Sequence, residues 1–530
     1  MKKIVFNILF LFISLVSFSA TRTIANGGGN FNATGTWVEG AVPVAGDAVV
    51  ATATSGNLTV NVASGGVGLL SFDMTGYTGI LTMTSTLTIS GTLKLVAGMG
   101  TISGTGAIIC NTTATLTSGG KVIPALTLGG TSQTYTLGDN FQVGVFSNAS
   151  STTSSILAGG KVLSVSGNCT INRAITPSGA GCDIVYNAPV STTQTINITF
   201  AISLANQTIN AAGTVSINSY VIAGGTLTYT AGTISGVALL NIVGTCTVNT
   251  SGMTWGAVTY TGTSQTYTLT SDLNATGLVT MGSATLPIYN GYQINTSGGL
   301  SVTGTGTHAG TTKVVVTGGN VSCLSTPRIL RLDLTLDNTN AGSITLGANT
   351  YYSTGTIQYI AGTGTFVTTG GVFNIVGTCT LNTSGTTFNN LAFSGTSQTY
   401  TLLSQLNVTT LTLAGVTAQT FAGAYNIVVG TITSTTTGCT YNFKDGQTLT
   451  IQTALNMNAG TSASHNIFSS SHGTNTTSIV LTQGASQDNS FLDGTRIDSS
   501  LGKTICTYKG TLTTTTNWRL LPTDVQTVSY

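Results

Sequence analysis

Charge is so scarce in this chain that ionisable groups standing together are conspicuous, and the densest internal set is Arg328, Arg331, Asp333 and Asp337. On an extended segment successive side chains alternate sides, which places Arg331, Asp333 and Asp337 on one face. Carboxylates beside a cation in one groove are what polysaccharide lyases and glycoside hydrolases require, either as an acid–base pair or as acids with Ca²⁺ and a basic residue. Arg331, Asp333 and Asp337 are therefore the catalytic candidates, and a solvated ion-pair ladder is the competing reading of the same residues. A second set, Asp488, Asp493, Arg496 and Asp498, lacks the dense Asp/Asn spacing of a calcium loop and reads as end capping. Of the three histidines, His308, His465 and His472, the last two lie seven apart in a Ser/Asn-rich stretch without a cysteine or carboxylate at ligand spacing. They read as loop residues. The Gly-Thr-Gly-Thr run 304–307 marks turns, and no serine stands in a nucleophile-elbow context. The expectation is a protein that is not an enzyme, with no metal and no cofactor, and with ligand-binding residues that cannot be assigned.

The elements carrying these residues follow from composition. Charged residues make up 5% of the chain, and its one glutamate is Glu39. Helical surfaces are normally coated with Glu, Lys, Arg and Gln, so a helical protein is excluded. Val, Ile, Thr, Tyr and Phe suit a pleated surface, and the Gly, Asn and Ser between them suit turns. A hydrophobic fraction of 41% sets the chain apart from disordered sequences, which combine low hydrophobicity with high net charge. The formal net charge of +2 gives no footprint for nucleic acid or an anionic membrane surface.

Repetition then organises the chain. The octapeptide Gly-Thr-Ser-Gln-Thr-Tyr-Thr-Leu occupies 130–137, 262–269 and 395–402, so its three copies are almost evenly spaced. Asn241-Ile-Val-Gly-Thr-Cys-Thr-Val-Asn-Thr-Ser-Gly252 recurs at 374–385, and 91–98 is matched by 225–232 and 355–362. Three super-repeats of about 130 residues follow one another without a linker. Within them, stretches such as Leu81-Thr-Met-Thr and Leu411-Thr-Leu alternate at period 2, with aliphatic groups on one face and threonines on the other. A coil of ~20–25 residues gives about six rungs per super-repeat, and some twenty rungs at ~4.8 Å would make a rod on the order of 100 Å long. The expected fold is all-β, a right-handed parallel β-helix or solenoid with capped ends. The alternative is three tandem β-sandwich domains, although Asn-Gly at 26–27 and 290–291 and Asp-Gly at 493–494 are too few for many hairpins.

Boundaries follow from composition shifts. Lys2 and Lys3, the apolar run Ile4–Val16 and the small residues Ser17, Ser19 and Ala20 read as a secretory signal peptide over 1–20, cleaved near Ser19 or Ala20. Residues 21–56, with Trp37, Glu39, Pro43 and Asp47, are assigned to an N-terminal cap. The solenoid spans 57–487, with super-repeats at approximately 90–222, 223–354 and 355–487, and 488–530 forms a C-terminal cap. No segment after the leader is apolar and long enough to span a membrane. Eight widely scattered cysteines read mostly as buried thiols, and Cys169 with Cys182 is the one close pair that invites a bridge.

The segment Asn32-Ala-Thr-Gly-Thr-Trp37 through Val42-Pro43-Val-Ala-Gly46-Asp47-Ala-Val49, after a signal peptide, resembles the opening of secreted bacterial parallel β-helix proteins. The Gly/Thr rungs that follow, beginning with Leu70-Ser-Phe-Asp73-Met-Thr-Gly-Tyr77, resemble adhesin-like and tail-spike-like repeat proteins of bacteria and their phages. That resemblance implies a surface or extracellular role and transfers no catalytic motif. The expectation is a non-enzymatic structural or adhesive protein, secreted or at the cell surface. Its expected partners are glycans or other surface and matrix components, and self-association stays open; a polysaccharide-binding or polysaccharide-degrading β-helix is the alternative function. Two binding ideas accompany it: a flat threonine face built on Thr134 and Thr136, Thr266 and Thr268, and Thr399 and Thr401, and glycan contact through exposed tyrosines.

Overall fold

A computed structural model of the chain describes residues 19–521, apart from 63–67, 149–154, 179–180, 237–238, 251, 263–264, 283–287, 290, 304–312, 324–329, 332, 341, 347–349, 368–371 and 472–475. Two compact units divide the chain, Met1–Met253 and Thr254–Tyr530. Among the described residues there is no α-helix, and one 3-10 turn at Thr34–Thr36 interrupts a chain of β-strands. The strands stack as parallel coils, a β-solenoid. Antiparallel contact among the described residues is confined to two isolated bridges, Ile24 to Trp37 and Thr461 to Ser464. Tandem β-sandwiches, which are built from antiparallel strands, are thereby excluded.

The coil length follows from the register. In the first unit Leu87 lies beside Ile108, and Leu116 beside Leu137. In the second unit Val258, Val279, Leu300 and Val321 are successive neighbours. One turn thus takes about 21 residues, at the short end of the range expected for a solenoid repeat. Coil width varies: Leu449 faces Ile479 and Leu455 faces Gln487, so a turn there takes roughly 30 residues, and the coils after it narrow again, with Gly494 facing Leu512.

Because the register is parallel and the strand period is two, the inward residue of one coil sits on the inward residue of the next. Phe72, Leu93, Leu116 and Leu137 form one such column in the first unit. Leu273, Ile294, Val314, Leu334, Ile357, Leu381 and Leu402 form another in the second. All of these side chains are buried. Each contributes about 1.5–3 kcal/mol of apolar burial. Aromatic rings run through the second unit's core, with Phe421 5.1 Å from both Phe393 and Phe443, and Phe443 5.6 Å from Phe468. At one corner Gly256, Gly277, Gly298 and Gly319 stack so closely that a Cβ on Gly298 would lie 2.3 Å from the Gly277 carbonyl carbon. Only glycine fits there.

The repeated octapeptide has a local structural reason. In the first and third copies Ser132 and Ser397 adopt left-handed φ values of 53° and 51°. The next residue reaches back to the preceding coil: Gln133 Oε1 accepts the Thr113 amide at 2.7 Å, and Gln398 Oε1 accepts the Thr378 hydroxyl at 2.8 Å. The tyrosine and leucine then turn inward, and Tyr135, Tyr267 and Tyr400 are all fully buried.

Parallel pairing runs through both proposed cap boundaries. Ala48–Val50 pairs with Ser71–Asp73 across the first, and Asn466–Ser470 with Leu492–Thr495 across the second. Trp37 is buried, its Nε1 donating to the Phe31 carbonyl at 3.0 Å. Asp47, also buried, accepts hydrogen bonds from the Ala20 amide at 2.9 Å, the Val44 amide at 3.0 Å and Arg22 Nε at 3.1 Å. Cys110, Cys169, Cys182, Cys246, Cys379, Cys439 and Cys506 are buried, and no disulfide joins any two of them. Burial pushes the thiols of Cys110, Cys246 and Cys379 up to about 12.

Candidate functional site

The structure assigns Arg331 and Asp333 to strands of different sheets. Arg328 lies outside the described residues. Leu330–Arg331 pairs with the first half of the bent strand Thr350–Ile360, whereas Asp333–Asp337 pairs with its second half and with Lys313–Val316, in a different sheet. Arg331 thus belongs to one sheet, and Asp333 and Asp337 to another. Asp333 is exposed and accepts the Thr356 amide at 2.6 Å, and Asp337 accepts the Thr339 amide at 3.0 Å in a local turn. Four residues at ~3.3 Å each set these two carboxylates ~13 Å apart along the strand. Two-carboxylate glycoside hydrolysis works across about 5–9.5 Å. Asp333 stands beside Lys313 in register without closing an ion pair.

The C-terminal set is drawn into the coil by local bonds. Asp488 accepts from Asn458 Nδ2 at 2.7 Å, Asp498 from the Ser500 amide at 2.9 Å, and Arg496 donates to the Ser470 carbonyl at 3.1 Å. Asp493 pairs with His465, Nδ1 to Oδ1, at 2.8 Å. His465 lies just before the strand Asn466–Ser470, which puts it beside the next coil; a partner a whole coil away is one that ligand spacing along the sequence does not reveal. His308 and His472 lie outside the described residues. Among the described residues no group of three His, Cys, Asp or Glu side chains could hold a metal ion. The C-terminal coils are also the most strained: of ten non-glycine residues described with positive φ, Phe491, Arg496, Lys509, Thr514 and Asn517 fall there. Such backbone strain concentrates at functional sites.

The outward face is the third candidate. Thr92, Thr115 and Thr136 are neighbours in three successive coils, and Thr356, Thr380 and Thr401 repeat the arrangement in the second unit. Thr136 and Thr401 come from the octapeptide copies, and the copies alone, about six rungs apart, make no array. The ladder emerges because neighbouring coils with unrelated local sequence place threonine in the same register. Eight tyrosines, including those of the octapeptide, are among the largest fully buried side chains, whereas Tyr292 and Tyr425 are exposed. Alternation in Thr-Tyr-Thr-Leu already assigned Tyr and Leu to one face.

Comparison with family models, with curated proteins and with solved structures finds no match for this chain.

Proposed function

We propose that this is a non-enzymatic, secreted or surface-exposed structural or adhesive protein, similar in role to the adhesin-like β-helix proteins its sequence resembles, that contacts polysaccharide through its uncharged outer face. The observation that carries this reading is the in-register threonine ladder, Thr92–Thr115–Thr136 in one unit and Thr356–Thr380–Thr401 in the other. Stacked coils repeat hydroxyls at ~4.8 Å. A regular, uncharged array suits a flat, repeating ligand such as the face of a crystalline glycan, where many weak hydrogen bonds act together.

The test is a pull-down on insoluble cellulose and chitin, with reducing ends measured in the supernatant. Bound protein, no released ends, and weakened binding when Thr115→Lys sets a charge in the ladder are expected. Release of soluble fragments that stops on Asp333→Ala would replace this reading with the depolymerising one.

A further inference from the structure

The last described coil of the second unit carries a cavity of about 410 Å³ that opens to solvent, lined among others by Gln483, Lys503, Thr504, Cys506, Asn517 and Arg519. Two of the described lining residues are cations and none of them is a carboxylate, in a chain with only 15 lysines and arginines. The two cations arrive by different routes. Lys503 follows Gly502, where a Cβ would lie 2.8 Å from the backbone of Leu481, and its Nζ is anchored on the Ala485 carbonyl at 3.0 Å. Arg519 lies on the strand Trp518–Leu521, in register with Cys506, and is exposed. It makes no hydrogen bond or ion pair with any other described residue.

The wall beneath them is locked. Asn517, at φ 58°, donates through Nδ2 to the Ser499 and Gly502 carbonyls, both at 3.0 Å, and its Oδ1 accepts the Thr504 hydroxyl at 2.8 Å. Trp518 Nε1 donates to Ser499 Oγ at 3.0 Å. Asn517 thus clamps one side of the cavity in a left-handed conformation. Burial pushes the Cys506 thiol up, and the positive charges of Arg519 and Lys503 oppose that shift.

We infer that this cavity binds the oxyanion of an acidic sugar, with Arg519 as the adaptable fork and Lys503 as the fixed charge. A guanidinium presents paired donors that match carboxylate or sulfate, and an anchored ammonium supplies a point charge beside it. The volume lies within the ~300–1,000 Å³ of small-molecule sites and suits a single sugar residue. Carboxylate of a uronic acid and sulfate of a sulfated sugar share this chemistry. The inference rests on the glycan-contacting part of the reading above.

Calorimetric titration of the full chain separates the sources, with trigalacturonate as the carboxylate probe and a sulfated trisaccharide as the sulfate probe. At least one probe binds, and Arg519→Gln weakens it about tenfold, the loss of one charge-assisted bidentate contact. Lys313→Gln, which removes one exposed charge several coils away, leaves binding within about twofold. Binding of one probe alone identifies its group as the ligand. Binding by neither probe, or equal loss in Arg519→Gln and Lys313→Gln, overturns the cavity as a site. Retention of insoluble neutral glycan in that event would leave the outer-face reading standing.

Discussion

Tyr135→Phe and Tyr400→Phe remove the same atom from two copies of one octapeptide, and the structure assigns them different consequences. Tyr135 Oη accepts the buried Gly130 amide at 3.1 Å and donates to the Cys110 carbonyl at 3.0 Å. Phenylalanine keeps the ring and leaves the Gly130 N–H without its acceptor, while the Cys110 carbonyl retains the Gly129 amide at 2.8 Å. One orphaned buried donor costs about 1–3 kcal/mol, and at ~2 kcal/mol local opening becomes roughly thirtyfold more frequent. Tyr400 Oη faces the corresponding Gly395 amide but closes no hydrogen bond of ordinary geometry, and its ring is held by Phe393 at 4.2 Å and Phe421 at 5.5 Å. Its removal costs less than about 0.5 kcal/mol, or stabilises, because a buried hydroxyl without a partner disappears. Hydrogen–deuterium exchange resolved to peptides reads each site locally, which suits a repeat protein whose coils open independently. Exchange at 128–137 should rise roughly thirtyfold in Tyr135→Phe, with 393–402 unchanged within about twofold in Tyr400→Phe. Equal effects at the two sites would refute the assignment of hydroxyl partners.

Other consequences can be checked in the same way. Gly298→Ala forces a Cβ against the Gly277 backbone and should destabilise the second unit by at least about 1–3 kcal/mol in denaturant titration, whereas Gly484→Ala, with nothing within 4 Å, should stay within ~0.5 kcal/mol. Burial alone would raise the Asp47 carboxyl, but hydrogen bonds from the Val44 and Ala20 amides and the Arg22 guanidinium outweigh it and hold it below its ordinary 3.8. The stabilisation is therefore complete above that unfolded-state value and is lost as pH falls through the lowered folded value. Protease protection of residues 20–50 should fall below about pH 4, and Asp47→Asn should lose the pH dependence. Maleimide at pH 8 should leave Cys110, Cys169, Cys246 and Cys379 unlabelled in the native protein and label them after denaturation, because burial keeps them as inaccessible thiols.

The β class, the parallel coil and its approximate length were legible because a single glutamate, period-2 alternation and exact internal repetition all point the same way. The step from coil to coil is also written in the sequence, in the even spacing of Gly256, Gly277, Gly298 and Gly319, a signal that the longer repeated peptides do not carry. The aromatic ladder was not legible, since Phe393, Phe421, Phe443 and Phe468 are unevenly spaced and meet only through coils of different width. The same variable width hid the His465–Asp493 pair. At Arg331 and Asp333, period-2 reasoning reaches its physical limit: it holds within one strand, and the two residues belong to strands of different sheets. The cavity at Lys503 and Arg519 needed the register of the final strand, which brings Arg519 beside Cys506 after a coil shorter than any in the body of the solenoid.

The outward threonine ladder depends wholly on register, and a pair of cysteines measures register directly. Thr115 and Thr136 are immediate neighbours on adjacent parallel strands, whereas Thr134 is offset by two positions from that pairing. In-register neighbours at ~4.8 Å fall within the Cα separation a disulfide accepts, and an offset of two positions does not. The account predicts that Thr115→Cys with Thr136→Cys oxidises to an intramolecular disulfide in the native protein, and that Thr115→Cys with Thr134→Cys stays reduced. Crosslinking of the offset pair, or of neither, would contradict it.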